Sequence, residues 1–414
     1  MAEVMNQKLK QAGLLCLELL HQHGAQAWWV GGCVRDSLLG RPVKDIDITT
    51  NSLPQQTLQL FQDAGMTVIP SGLKHGTLTV MVHRVPVEIT VYRSESDYLQ
   101  HRYPRQVRFV DSLQQDCARR DFTINALCWN PREGIRDFFG GQQDLKQRRI
   151  RCIGQPHDRF NEDALRILRA LRFSSVLGFT IEPHTAQAMN ELRELLHVLS
   201  AERIAREMEL MAAGDHWPSA LVQALPVLRE LFPYLPLFQS ETAWQSALDY
   251  ARQCPPDSIL RLCGLFLDAQ PDQASSLALR FARQLKWSTR QTKRLTVLCA
   301  QQRRPLDEQQ VTLRWLLHDL EENSDDLITL QQAAGLLEKN TADHLHARLR
   351  ELRSTECLRI SQLAVSGHDL QAFGCLGAQI GQLLQRCLEA VLNGQIPNEK
   401  EALLSFCQRI LQEG

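Results

Sequence analysis

Two runs early in the chain alternate apolar and polar residues at period two: Gly76-Thr77-Leu78-Thr79-Val80-Met81-Val82 and Val85-Pro86-Val87-Glu88-Ile89-Thr90-Val91. With their β-branched residues, they predict strands. From Asn161 onward the spacing changes to three or four, carried by Leu, Ala, Gln, Arg and Glu, and predicts helices over nearly all the remainder. Glycine usage shifts at the same place. Twelve of the 22 glycines fall in the first 154 residues, and only Gly178, Gly214, Gly264 and Gly335 lie between 155 and 340. Breaks at Gly214-Asp215-His216-Trp217-Pro218, Cys254-Pro255-Pro256 and Arg303-Arg304-Pro305 divide the helical part into packing units. The expected fold class is α+β: a mixed α/β segment over 1–153, then an elongated all-α part with segments 154–213, 214–303 and 304–414.

Composition narrows this picture. At 414 residues the chain is about three average domains long. Hydrophobic residues at 44% and charged residues at 22% are ordinary globular values. No apolar run approaches the ~18 residues that a bilayer crossing needs. The N-terminal Met1-Ala2-Glu3-Val4-Met5-Asn6-Gln7-Lys8 lacks the basic end and apolar stretch of a secretory signal, so a cytoplasmic protein with no membrane partner is expected. Twelve cysteines without CxxC pairs or zinc-ligand spacings read as reduced core residues. The net charge of −1 conceals a local excess: residues 101–172 hold fifteen Lys/Arg against nine Asp/Glu, a candidate phosphate-facing surface.

The first chemical constellation runs from Val30-Gly31-Gly32-Cys33-Val34-Arg35-Asp36 through Gly40 to Lys44-Asp45-Ile46-Asp47-Ile48-Thr49. Two glycines between a short strand and a helix let bare backbone N–H groups approach a polyphosphate. The helix is expected to stop at Gly40. The chain then returns as a strand on which Asp45 and Asp47, at i and i+2, share one face, as two carboxylates holding a pair of Mg²⁺ ions must. An isolated Asp-x-Asp is more often a solvated turn; the glycine pair upstream changes that weighting.

This stretch resembles the signature of the polymerase-beta nucleotidyltransferase superfamily, in the version of class II tRNA nucleotidyltransferases (CCA-adding enzymes) and bacterial poly(A) polymerases. Three further motifs follow in the family's order: Arg119-Arg120-Asp121-Phe122-Thr123-Ile124-Asn125-Ala126, Asp137-Phe138-Phe139-Gly140-Gly141-Gln142-Gln143-Asp144-Leu145, and Glu162-Asp163-Ala164-Leu165-Arg166 continued by Arg169 and Arg172-Phe173. The resemblance implies a nucleotidyltransferase head over 1–153, a nucleotide-selecting neck over 154–213, a helical body and a tRNA-binding tail. It also implies template-independent addition of CCA to the 3′ end of tRNA from CTP and ATP; A-only addition and poly(A) synthesis are the alternatives.

Base choice follows from the fourth motif. A carboxylate at Asp163 accepts a hydrogen bond from the exocyclic amino group of cytosine or adenine, while Arg166, one turn along the same helix, donates to the neighbouring ring nitrogen. Guanine and uracil present a carbonyl there and leave the carboxylate unpaired, at about 1–3 kcal/mol. The resemblance places Arg120, Arg169 and Arg172 around the nucleotide, and Gly32 and Arg35 on its triphosphate. Glu88 fits the third superfamily carboxylate, orienting or deprotonating the attacking hydroxyl, and fits a solvent-facing strand glutamate as well. Ser71-Gly72-Leu73-Lys74-His75-Gly76-Thr77 resembles the CCA-adding element at this place. The polar segment 93–104 has no strand periodicity and reads as a mobile loop, full length where CC-only enzymes are shortened. Ser200-Ala201-Glu202-Arg203-Ile204-Ala205-Arg206-Glu207-Met208 resembles the helix that braces the site, and is equally compatible with an ordinary charged helix face. Val365-Ser366-Gly367-His368-Asp369-Leu370 and the glycines after it resemble tails that grip tRNA. A His-Asp hydrolase centre, found in many relatives, is not expected, because Leu262-Cys263-Gly264-Leu265-Phe266-Leu267-Asp268 lacks its histidine.

Overall fold

The computed structural model describes residues 5–99 and 103–413. The chain divides into two compact units, with the boundary between Pro233 and Tyr234.

The first unit opens with helix α1 (Gln7–Gln22), strand β1 (Ala27–Val30), helix α2 (Gly32–Leu38), strand β2 (Asp47–Thr50) and helix α3 (Pro54–Asp63). Strands β3 (Thr67–Gly72), β4 (Thr77–Val82) and β5 (Val85–Val91) follow, and β4 and β5 are the two strands predicted from alternation. Leu78, Val80 and Val82 of β4 and Val87, Ile89 and Val91 of β5 are buried, so one face of each strand supplies core and the other is left for polar groups. Strands β6 (Arg93–Leu99) and β7 (Tyr103–Phe109) pair only with each other, as an antiparallel ladder. The loop expected over 93–104 is therefore corrected to a hairpin; Gln100, His101 and Arg102 lie outside the described residues. A two-stranded ribbon apart from the main sheet need not bury a face, and so imposes no apolar alternation on its sequence.

Helix α4 (Leu113–Ala118), strands β8 (Cys128–Asn130) and β9 (Gly134–Arg136), helix α5 (Gly141–Lys146) and the short strand β10 (Arg149–Ile150) complete the mixed region. The seven-stranded sheet has the order β3-β4-β5-β2-β1-β8-β9. β2 runs parallel to β5 and antiparallel to β1. Helix α1 covers one face, where a Cβ on Gly13 would stand 2.6 Å from Ile46 Cδ1. On the other face Trp28 and Val30 pack with Leu113 and Cys117 of α4. Helices α6 (Pro156–Glu162), α7 (Leu165–Leu177), strand β11 (Thr180–Ile181), α8 (Pro183–Glu191), α9 (Ala201–Ala212) and α10 (Trp217–Leu231) finish the unit. Buried Ile204, Ala205 and Met208 give α9 an apolar face, so it is more than a charged helix face.

In the second unit all regular structure among the described residues is helical, from Glu241–Gln253 to Lys400–Glu413. Its interior includes Phe281 in edge contact with Phe266 at 5.7 Å and Trp287 at 5.8 Å. His318 bonds the Leu358 carbonyl, and Asp319 accepts from Arg304. The breaks read at 254–256 and 303–305 fall between helices; the one read at 214–218 covers the end of the α9–α10 connection and the first two residues of α10, where Pro218 is tolerated in the first turn. All twelve cysteines are free and buried.

Candidate active site

The register of β2 on β5 sets Asp47 opposite Glu88. Ile46 and Ile48 alternate with Asp47 and are 1% exposed, so the sheet's hydrophobic face is satisfied and the aspartate stands on the other one. Asp45 was expected on the strand; β2 begins at Asp47, and Asp45 stands in the segment leading into it. Glu88 and Asp45 are exposed and Asp47 is half-buried. Burial pushes the Asp47 carboxyl up to about 6, helped by the charges of Glu88 and Asp45 and opposed by Arg120. Among the described residues no three His, Cys, Asp or Glu side chains are gathered tightly enough to hold a metal ion. The chemistry of the set still fits a hard divalent cation: its donors are all carboxylate oxygens, and a cation among them removes the repulsion that raises Asp47.

Beside these carboxylates, β1 passes into α2 through Gly31 at φ 76°, ψ −128°, a conformation that side-chain-bearing residues avoid. A Cβ there would stand 3.5 Å from Arg120 Nη1 and 3.7 Å from the Asn125 carbonyl oxygen, which is ordinary contact, so it is the backbone conformation rather than crowding that calls for glycine. A Cβ on Gly32 would meet only Arg35 Nη2, at 3.8 Å.

Two buried carboxylates organise the second motif. Asp116 accepts from Thr49 Oγ1 of β2 at 2.9 Å, from the Arg93 backbone N–H at 3.3 Å, from Arg119 Nε at 2.9 Å and from Arg120 Nη2 at 3.3 Å. Burial alone would raise its pKa; Arg119 and Arg120 outweigh it and hold the group ionised. Asp121 accepts from Asn125 Nδ2 at 3.0 Å and from Arg169 Nε of α7 at 2.8 Å. Asn125 in turn accepts from Arg35 Nη1 at 2.7 Å, and Arg35 bonds Asp36 through Nε and Nη2. An unbroken polar chain thus links α2 to α7.

The fourth motif departs from expectation. Asp163 and Arg166 do not share a helix: Asp163 ends α6 in an extended conformation (φ −143°, ψ 102°), and Arg166 lies in the first turn of α7. The Asp163 side chain accepts the Leu165 N–H, a local bond that competes with helix continuation at this position. Its ion-pair partner is Arg203 of α9. Arg166, 7% exposed, donates to Glu162 and to the carbonyls of Arg159 and Arg119. Arg172 pairs with Glu207, which is 6% exposed. The structure brings Asp45, Asp47, Glu88 and Arg120 together on one side, and Arg35, Arg169 and Arg172 together through Phe173 and Asp121; Asp163 and Arg166 stand with Arg203 and Glu162.

Sequence reasoning missed Asp116, Asp121, Asn125, Arg203 and Glu207 as partners. All lie inside or just before quoted motifs, but only Asp116, three and four residues before Arg119 and Arg120, carried a spacing signal; the other arginine pairings join residues far apart in the chain. Within the basic stretch, Arg119, Arg120, Arg149, Arg151, Arg159, Arg166, Arg169 and Arg172 are ion-paired within the unit.

Residues 27–151 match the family model described as poly A polymerase head domain, and residues 265–407 match one for tRNA nucleotidyltransferase domain 2. A CCA-adding enzyme of Anoxybacillus flavithermus is 35% identical, covering 96% of this chain and 96% of that protein. One from Bacillus cytotoxicus is 34% identical over 97% of this chain and 98% of its own length. The crystal structure of the Bacillus stearothermophilus CCA-adding enzyme in complex with CTP superposes with a TM-score of 0.81 at 28% identity, covering 99% of each chain. Likeness of this extent, over both units and with the head's motifs in place, makes the chain a member of the CCA-adding enzyme family.

Proposed function

We propose that this protein adds C, C and A to the 3′ end of tRNA, taking CTP and ATP without a nucleic-acid template. The observation that carries the reading is the register of Asp47 against Glu88, with Asp45 two residues upstream, in a chain alike end to end to CCA-adding enzymes. Asp45 and Asp47 would hold Mg²⁺, which when bound would supply positive charge to acidify the attacking tRNA hydroxyl and neutralise the triphosphate. Glu88, beside Asp47 and open to solvent, accepts a hydrogen bond from that hydroxyl and so aims it in line with the α-phosphate. Gly32, by carrying no side chain, leaves the start of α2 open to the phosphates, and Arg35, Arg120, Arg169 and Arg172 surround the nucleotide. Little covalent chemistry falls to the protein; its contribution is position and charge.

Asp163 accepts from the base amino group and Arg166 donates to the ring nitrogen. Arg203 and Glu162 hold these two groups, so reading a base requires both partners to share their hydrogen bonds with it. The head (1–153) performs transfer, the neck (154–213) selects, and the helical tail (304–414) holds tRNA through backbone and shape, as suits an A-form acceptor stem. Among the described residues no helix is long and apolar enough to cross a membrane, consistent with a cytoplasmic substrate. The test is label incorporation into tRNA lacking its terminal trinucleotide, with purified protein and Mg²⁺. Incorporation from CTP and ATP but not GTP or UTP supports the reading, and incorporation from none of the four refutes it.

A further inference from the structure

Phe173 closes the fourth motif and has no part in the mechanism above. It is 5% exposed and meets Phe122 edge-on at 5.8 Å. Its ring is also the common seat of three guanidiniums. Arg172 Cζ lies 4.1 Å from the ring centroid, Arg35 Cζ 5.1 Å and Arg169 Cζ 5.4 Å. Arg35 comes from α2 and the other two from α7, so the ring bridges the helix that follows the glycine pair and the helix that carries the selecting row.

Three like charges around one point repel, and two devices hold them. Each guanidinium gives its Nε to a different carboxylate: Arg35 to Asp36, Arg169 to Asp121 and Arg172 to Glu207. The carboxylates fix one edge of each fork; the ring's negative quadrupole attracts all three cations toward a single point. Burial draws the Arg172 guanidinium below its ordinary value; Glu207 opposes the shift and the neighbouring Arg169 adds to it.

We propose that Phe173 is a positioning residue for triphosphate binding: its ring gathers Arg35, Arg169 and Arg172 into one cationic cluster and thereby sets α2 against α7. The inference rests on the reading that these arginines surround the nucleotide. It assigns the ring an electrostatic role that an equally bulky apolar side chain cannot fill.

The test separates charge from volume. Phe173 is replaced by 4-fluoro-, 3,5-difluoro- and 3,4,5-trifluorophenylalanine, which keep the ring's shape while draining its face of negative charge. Dissociation constants for CTP and for inorganic tripolyphosphate are measured with melting temperature and steady-state constants. The expected result is a stepwise weakening of both ligands, reaching about tenfold in the trifluoro variant, with KM rising, kcat held and melting temperature little changed. Phe173→Leu weakens both ligands at least as much. Affinities and KM that stay flat across the fluorinated series, in a protein that still adds C and A to tRNA, overturn the inference and leave the proposed function standing. A wild-type protein that adds neither nucleotide overturns both.

Discussion

Arg203 Nη2 reaches both carboxylate oxygens of Asp163, at 2.8 and 3.1 Å, and so ties α9 to the junction of α6 and α7. The pair is partly buried on both sides, and the arginine gives the carboxylate a fixed direction. Arg203→Ala is expected to raise KM for CTP and ATP about tenfold with kcat little changed, because the misdirected carboxylate serves binding rather than the transfer step. Arg206→Ala, on the exposed side of the same helix, leaves both constants unchanged. Steady-state kinetics on the two variants decide it; equal effects contradict the role given to Arg203.

The Asp47 carboxylate stands among like charges, and its removal separates catalysis from stability. Asp47→Asn is expected to lower kcat by about a thousandfold or more. The same variant in EDTA at pH 7 melts no lower than wild type, since the repulsion from Glu88 and Asp45 is relieved. Retention of activity within about tenfold of wild type removes Asp47 from the metal-holding pair.

In the proposed mechanism Asp163 is the acceptor that tells an amino group from a carbonyl on the base. Asp163→Ala is expected to lower the preference for CTP over UTP, as a ratio of kcat/KM, by about tenfold or more, because uracil no longer faces an unpaired carboxylate. Competition between labelled CTP and UTP on one tRNA measures that ratio directly. An unchanged ratio assigns selection to other residues.

Acid stability follows from Asp121. Burial alone would raise its pKa, but Arg169 and the hydrogen bonds from Asn125 and Arg169 hold it well below the usual carboxylate range. A folded-state pKa below the unfolded one adds stability that is present above about pH 4 and is lost as pH falls through the folded value. Asp121→Asn is expected to cost about 3 kcal/mol at pH 7, and its stability curve approaches that of wild type only as pH falls below about 4 toward the folded value. Parallel curves contradict a charge-based role. Urea denaturation across that range provides the measurement.

Much of the head was legible because its chemistry is carried by short motifs whose spacing the backbone enforces. The alternation at 77–91 located β4 and β5, and the glycine pair located the start of α2. The β6–β7 ribbon was not legible, since its sequence carries no apolar alternation and its strands pair outside the main sheet. The helix shared by Asp163 and Arg166 failed for a local reason: Asp163 bonds the Leu165 N–H and leaves the chain extended at that residue. Pairings such as Glu207 with Arg172, 35 residues apart, lie beyond any periodicity argument. Counting charges along the chain also does not reveal that acids of the basic stretch fold onto its arginines.

The central claim is tested most directly by three transcripts of one tRNA, ending before the terminal trinucleotide, after its second C, and complete, each incubated with protein, Mg²⁺, CTP and ATP and resolved on a sequencing gel. The account predicts that the first grows by C, C and A, the second by a single A, and the third not at all. Growth of the second transcript alone, or unlimited A tracts on all three, contradicts it.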